Sequence, residues 1–340
     1  FINTVSGSDL KVGNGLRSCT SAVEHSRTFQ LFDRNVTLID TPGFDDTTKS
    51  DTDILKMIAV YLSTTYENGY KLSGVIYIHR ISDFRMTGVS RRNFTMFRKL
   101  CGDSVLKNVV IVTNMWGEVT AERGEARERE LATDDVLFKR VLEKGARMVR
   151  HDNTRESAQA ILHSLMNTTP RALRIQRELV DEHKDISQTA AGAELSRELD
   201  ELAAKQREEL AQVNADMDEA LQAKDAESRE ELEKVRAELE AKVKRIEDDR
   251  ERLSLEYAQE KKRADEKIMM AVKAEEDAKA QMQAHVDQLG AGPRSYAYVS
   301  TVERDRTEFS YLPRSQPRRR LDFFAVFGRF LDIVLGSINV

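Results

Sequence analysis

From Arg171 to Gln288 the sequence contains no proline and a single glycine, Gly192. Over that stretch composition collapses to Ala, Glu, Lys, Leu, Arg, Asp and Gln, most of them good helix formers. Apolar residues recur at heptad-like spacing: Leu195, Leu199 and Leu202, then Leu232, Leu239, Ile246 and Leu253, with Val243 and Tyr257 on the intervening seam. That pattern admits little but long helix, and it predicts a coiled coil over 171–288. The repeat is poor around Lys224–Glu231, which predicts a break or stutter there. A segment so rich in charge dilutes the rest, and the whole chain is 33% charged and only 6% aromatic. The core must therefore lie elsewhere.

Residues 1–168 are the place for it. Runs rich in β-branched residues recur at Arg27–Phe32, Asn35–Ile39, Gly74–Ile78 and Val109–Val112, with a weaker one at Arg147–Val149. Helical patterns separate them: Asp53–Thr64, Ser90–Leu100, Ala121–Leu142 and Thr154–Met166. Alternating strands and helices predict an α/β three-layer sandwich with a mostly parallel sheet. The first two runs are joined only by Asp33 and Arg34, which suits an antiparallel hairpin at a sheet edge. Pro170 closes this domain. Net charge is −5, so no global excess of positive charge points to nucleic acid. The two cysteines, Cys19 and Cys101, form no Cys-x-x-Cys motif, and no signal peptide is evident; the expectation is a reducing, cytoplasmic setting.

Chemistry concentrates at strand ends. Val36–Asp46 reads VTLIDTPGFDD, a buried strand running into Asp40-Thr41-Pro42-Gly43. A carboxylate beside a bare glycine backbone is what phosphoryl chemistry needs, since one holds a metal and the other approaches a phosphate. An ordinary turn has the same residues. Upstream lies a polar loop, Gly13–Thr20, with Thr20 and then Ser18 as candidate hydroxyl ligands. Downstream, Asn108–Asn114 is a strand ending in Thr113-Asn114, followed by Met115 and Trp116. His79 and the His151-Asp152 pair also follow strands, where a structural role is the simpler reading. No histidine or cysteine spacing matches a zinc site.

With these residues in place, the sequence resembles the septin-related, immunity-associated (avirulence-induced-gene type) P-loop GTPases, fungal members in particular. The resemblance covers about 1–168 and rests on Phe1-Ile2-Asn3, Ser18-Cys19-Thr20, Asp40–Phe44, Tyr77–Ile81, Thr113–Trp116 and His151–Thr154. It implies a G domain binding GTP/GDP and Mg2+. Thr20 and Asp40 would be metal ligands, Asp40 through water; the Gly43 N–H would face the γ-phosphate; and Thr113, Asn114, Trp116 and Asn153 would lie around the base. It further implies slow GTP hydrolysis and homo-oligomers formed through the G domain and coiled coil. The chain departs from the family in two places. No Gly-x-x-x-x-Gly-Lys-Ser/Thr occurs, so the expectation is a G domain lacking its first strand and phosphate loop, with weak nucleotide binding. Trp116 stands where a base-reading carboxylate is usual; it could stack on a base or pack locally, and Glu118 could substitute. A nucleotide-free scaffold is the alternative function.

Residues 289–320 read as a basic linker, with seven arginines against three acids. The tail Leu321–Val340 is apolar. Polar or small residues at 322, 325, 329, 332 and 336 fall on one helical face, predicting an amphipathic helix. Asp322, Arg329 and Asp332 argue against a plain transmembrane span. Membrane-surface binding through 318–340, with peripheral membrane localisation, is one use for such a helix, and packing on protein is the other.

Overall fold

The computed structural model describes residues 1–12, 22–44, 49–83, 88–223, 226–289 and 321–328. By contacts the chain divides into two units, Phe1–Ala258 with Arg320–Val340, and Gln259–Arg319.

The first unit is built on one sheet. Its strands are β1 (Glu24–His25), β2 (Phe29–Leu31), β3 (Arg34–Asp40), β4 (Gly74–Arg80), β5 (Val109–Asn114), β6 (Arg147–Arg150) and β7 (Leu321–Gly328). The spatial order is β1-β3-β7-β4-β5-β6, with β2 also paired to β3. β1 and β2 run antiparallel to β3, whereas β3, β7, β4, β5 and β6 are mutually parallel. The β2–β3 hairpin forms as its sequence predicts, but Leu31 pairs with Arg34, so the turn is Phe32-Asp33, and Phe32 takes a φ of 54°.

Because side chains alternate along a strand, each central strand feeds both faces. Ile39, Val75, Tyr77, Val109 and Ile111 enter one core cluster, covered by α2 (Asp51–Glu67), α3 (Gly88–Cys101), α4 (Ala121–Thr133) and α5 (Lys139–Glu143). Val36, Leu38, Ile76, Ile78, Val110 and Val112 enter the other, beneath α1 (Ile2–Ser6) and α6 (Arg155–Met166). This is the three-layer α/β arrangement. α2 starts two residues before its predicted pattern, with the Ser50 hydroxyl accepting from the Asp53 N–H and Asp51 and Asp53 in the first turn. The single helix predicted over 121–142 is instead two. Phe138 turns back into the core, stacking edge-on against Phe94 at 4.6 Å, and that burial outweighs the helical periodicity.

The sequence also predicts helix from 171 onward, but regular helix begins only at 190. Residues 171–189 wrap the first core with α7 (Arg174–Gln176) and two irregular turns, burying Leu173, Ile175 and Ile186 completely. α8 (Ala190–Ala223) and α9 (Ala226–Leu289) follow. The start of α8 is fixed by Glu178, whose buried carboxylate accepts from the Ala190 N–H at 3.0 Å. It is also fixed by Gly192: a Cβ there would stand 2.0 Å from the Ile186 carbonyl oxygen, so only glycine fits. Within the first unit α8 and α9 run back along each other, Arg250 pairing with Asp200 at 2.8 Å and Arg207 with Glu247. The pair leans on α2 through Lys56–Glu256 (2.5 Å) and Tyr257–Ser63 (3.2 Å). In the second unit the described residues continue α9 to Leu289, with Lys261–Asp265 among its surface ion pairs.

The C-terminal segment corrects the sequence reading. Leu321–Gly328 is a strand, not an amphipathic helix, and it lies between β3 and β4 with a neighbour on each side. An apolar run of about eight residues, rich in aromatics and bounded by glycine, satisfies a buried parallel strand as well as it satisfies a helix. The open slot between β3 and β4 decides. Residues 329–340 lie outside the described residues. No helix among the described residues is long and apolar enough to cross a membrane.

Candidate functional site at the carboxyl ends of the parallel strands

Parallel α/β sheets bind ligands beyond the carboxyl ends of their strands, where backbone amides and loop side chains converge. Here that edge carries Asp40 on β3, Arg80 on β4, Asn114 on β5 and the loop His151–Asn153 after β6. Asp40 and Asn114 are three strand spacings apart, about 14 Å. An extended nucleoside triphosphate spans a comparable distance.

Asp40 and Thr41 are both buried, at 5% and 2% exposure. Asp40 sits opposite Glu24 on one side and Val326 on the other. The turn after it is tied down by Asn93 of α3, whose side-chain amide donates to the Phe44 carbonyl at 2.7 Å. Sequence reasoning misses Asn93; its only signal is a polar residue on the buried face of α3, one position before Phe94. Gly43 borders a cavity of about 20 Å³ with Pro42, Phe44, Tyr77, His79 and Asn93, room for roughly one water. His79 is buried and meets Phe138 edge-on at 5.4 Å, which is a packing role. Arg80 reaches Asp83 at 3.8 Å and Glu118 at 3.5 Å. Glu118, the alternative base-reading carboxylate, is thus an ion-pair partner of Arg80.

Thr113 is fully buried and organises the next strand end. Its carbonyl accepts from the His151 N–H (2.8 Å) and from the indole N–H of Trp116 (3.1 Å). Met115 takes a left-handed φ of 61°, which turns the chain back so that Trp116 can make that bond. The guanidinium of Arg150 lies 4.2 Å over the Trp116 ring, and Glu128 holds Arg150 in place. On the α4 side Gly124 is tight against the ring: a Cβ there would be 2.7 Å from Trp116 Cζ3. Trp116 is therefore engaged locally by α4 and β6. Asn114 is different. Its side-chain Oδ1 is buried and has no hydrogen-bond partner among the described residues.

His151 is 2% exposed, its Nδ1 lies 2.7 Å from the Ser157 hydroxyl, and burial lowers its pKa to about 4. Asp152 accepts from the Thr154 N–H and hydroxyl, and hydrogen bonds from Ser157 and Thr154 hold its carboxyl well below the usual range. Asn153 takes a left-handed φ of 64° in this loop. The structure therefore brings Asp40, Gly43, Thr113, Asn114 and Asn153 to one edge. Thr20, Ser18 and the rest of 13–21 lie outside the described residues, as do 45–48. No group of three or more His, Cys, Asp or Glu able to hold a metal occurs among the described residues.

No protein-family model matches the sequence, and no curated protein matches it. Nine chains of known structure do. One of them, the crystal structure of a dimerization-deficient mutant of Toc33 from Arabidopsis thaliana, is similar over 47% of this chain and 75% of that one, with 10% identity and a TM-score of 0.36. A likeness that slight carries no weight for function.

Proposed function

We propose that this chain is a guanine-nucleotide-binding α/β domain carrying a helical arm. The observation that supports it best is the placement of Asp40 and Gly43 at one end of a single sheet edge, with Asn114 and Asn153 at the other, a nucleotide's length away. In this reading Asp40 holds Mg2+ through water and Thr20 completes the metal's oxygen ligands. A lone carboxylate suits Mg2+, which is commonly held by one or two carboxylates, waters and the substrate's own phosphates. The Gly43 N–H faces the terminal phosphate. The orphaned Asn114 Oδ1 needs a donor, and an amino group or ring N–H of a base supplies one. Slow hydrolysis and self-association through the α/β domain and the arm complete the proposal.

A nucleotide-free scaffold is the second reading. The local engagement of Trp116 and Glu118 favours it. Titrating the full chain with a fluorescent GDP analogue, with and without Mg2+, separates the two. The nucleotide reading expects weak saturable binding, in the range of a millimolar Kd or about 4 kcal/mol. Mg2+ should strengthen it, and Asp40→Asn should weaken it about tenfold, the loss of one charge-assisted contact. Absence of any saturable GDP or GTP binding would leave the scaffold.

A further inference from the structure

Two buried polar atoms stand beside each other at the carboxyl edge of the sheet, the Oδ1 of Asn114 and the Nε2 of His151. Neither has a hydrogen-bond partner among the described residues. Their placement follows from the ladder. β5 and β6 are paired as far as Thr113 and Arg150. One step earlier, Val112 and its partner Val149 pack in the core cluster beneath α1 and α6. Side chains alternate along a strand, so Asn114 and His151, two residues further on, fall on that same face. The backbones are still joined there, since the His151 N–H donates to the Thr113 carbonyl at 2.8 Å. Paired strands lie about 4.8 Å apart, which makes the two side chains neighbours. The ring of Phe1, at the head of α1, meets the His151 ring edge-on at 5.1 Å on this face.

Both atoms are acceptors. The Ser157 hydroxyl has one hydrogen, given to the Thr154 carbonyl at 3.1 Å or to the Asp152 carboxylate. It therefore accepts from His151 Nδ1, 2.7 Å away. Nδ1 then carries the ring N–H, and Nε2 presents a lone pair. Burial lowers the His151 pKa to about 4, so the ring stays neutral at pH 7. Arg80, opposite Asn114 on β4, turns its guanidinium to Asp83 and Glu118. Buried acceptors without donors are costly, and a pair of them on one face calls for a ligand with two N–H groups.

We propose that Asn114 Oδ1 and His151 Nε2 together read the base, in place of the carboxylate usual at the position of Trp116. The assignment rests on the nucleotide reading above. Two adjacent acceptors select a ring edge with two adjacent donors. Guanine has such an edge, its N1–H beside its 2-amino group. Hypoxanthine keeps only the N1–H. Adenine offers one donor beside the lone pair of its N1, which would face an acceptor. A site built to hydrogen-bond a ligand group discriminates against the analogue that lacks it, because its own polar atom is then left unpaired. His151 is in this way a specificity-determining residue. The half-buried Phe1 ring is the side chain that the entering base displaces.

The test is nitrogen NMR of the full chain, labelled at its histidines, as GDP, inosine diphosphate or ADP is added with Mg2+. Without nucleotide, His151 Nδ1 should give the resonance of a protonated ring nitrogen and Nε2 that of an unprotonated one. The opposite tautomer overturns the proposal. GDP should move the Nε2 resonance upfield, the response of a lone pair that gains a hydrogen bond. GDP should also bind about tenfold more tightly than inosine diphosphate, the loss of one hydrogen bond. His151→Phe, which keeps a ring against Phe1, should weaken GDP binding about tenfold and leave the weaker binding of ADP unchanged. The resonances and the GDP-to-inosine ratio are read on the unmodified chain, so the test does not depend on how that variant folds. GDP binding with no response at Nε2, or with inosine diphosphate bound equally well, overturns this assignment and leaves the nucleotide reading standing. Absence of binding by all three nucleotides overturns both.

Discussion

Trp116 shows how much one side chain can owe to its surroundings. By type and position it could have been a base-stacking platform or a packing residue. The structure gives it an indole hydrogen bond to Thr113, a guanidinium above it and a glycine beside it. Alanine normally improves a helix interior over glycine by up to about 1 kcal/mol. At Gly124 the added carbon meets a ring pinned on its other side, and overpacking of that kind costs about 1–3 kcal/mol. Gly124→Ala is therefore expected to lower stability in urea unfolding and to shift the emission of the chain's only tryptophan. A stabilised variant with unchanged emission would mean that the ring is free to move. His151 gives a second expectation at this scale. Its pKa is lowered to about 4 by burial, so it folds neutral. A histidine of depressed pKa contributes stability above its unfolded value near 6.5, and that contribution is lost as pH falls toward 4. NMR titration should find the His151 ring still neutral at about pH 5, below the ordinary histidine value; protonation near 6.5 would contradict the buried geometry. Position along the chain made both residues candidates and a structural role the simpler reading for His151, but only the spatial neighbours decided between stacking and packing for Trp116.

Elements are held together by apolar contact, with charge setting conditions. Where α8 and α9 meet, Arg250–Asp200 is a well-formed pair at 2.8 Å, but both side chains are more than half exposed. Such pairs contribute about 0–1 kcal/mol. Leu253, 2% exposed on the same helix, joins the main core. Arg250→Ala is expected to change stability by less than about 0.5 kcal/mol. Leu253→Ala should cost about 2–4 kcal/mol. Denaturant midpoints of the two variants decide, and equal effects would show that the arm does not rest on this seam. α8 also meets the sheet domain through Glu198, whose carboxylate is 12% exposed and 3.6 Å from Arg92, while Arg92 also holds Asp51 at 3.0 Å. Burial raises the Glu198 pKa to about 7; Arg92 opposes the rise, and Glu194 and Asp51 add to it. A carboxyl with a raised folded pKa favours folding below its unfolded value near 4.5, and that favour is lost as pH climbs to 7. Glu198→Gln should then stabilise the protein by about 1 kcal/mol at pH 8 and give no gain at pH 5. A gain independent of pH would remove Glu198 as the cause. The heptad pattern located α8 and α9, because regular spacing is a local property. It did not show that 171–189 leaves the helix, since that follows from Glu178 and Gly192 meeting particular neighbours.

At the scale of the whole molecule, the sheet depends on a strand from the opposite end of the sequence. Removing residues 320–340 should open the centre of the sheet and abolish its cooperative thermal transition. The arm's helical circular dichroism should survive in part, because α8 and α9 carry their own periodicity. A truncated chain that melts as sharply as the full one would show that β7 is dispensable. The sequence by itself determined most strands and helices in residues 22–168, though neither the short strand Glu24–His25 nor the division of 121–142 into two helices, and it placed Asp40 and Asn114 at strand ends and Asn153 in a loop before a helix. Local alternation and turn residues suffice for that, because they act over a few positions. Only the tertiary structure decided what Leu321–Gly328 becomes. A short, mostly apolar run satisfies a helical face and a buried strand alike, and the choice is made by two rows of backbone groups on β3 and β4, which lie more than 240 residues earlier in the chain.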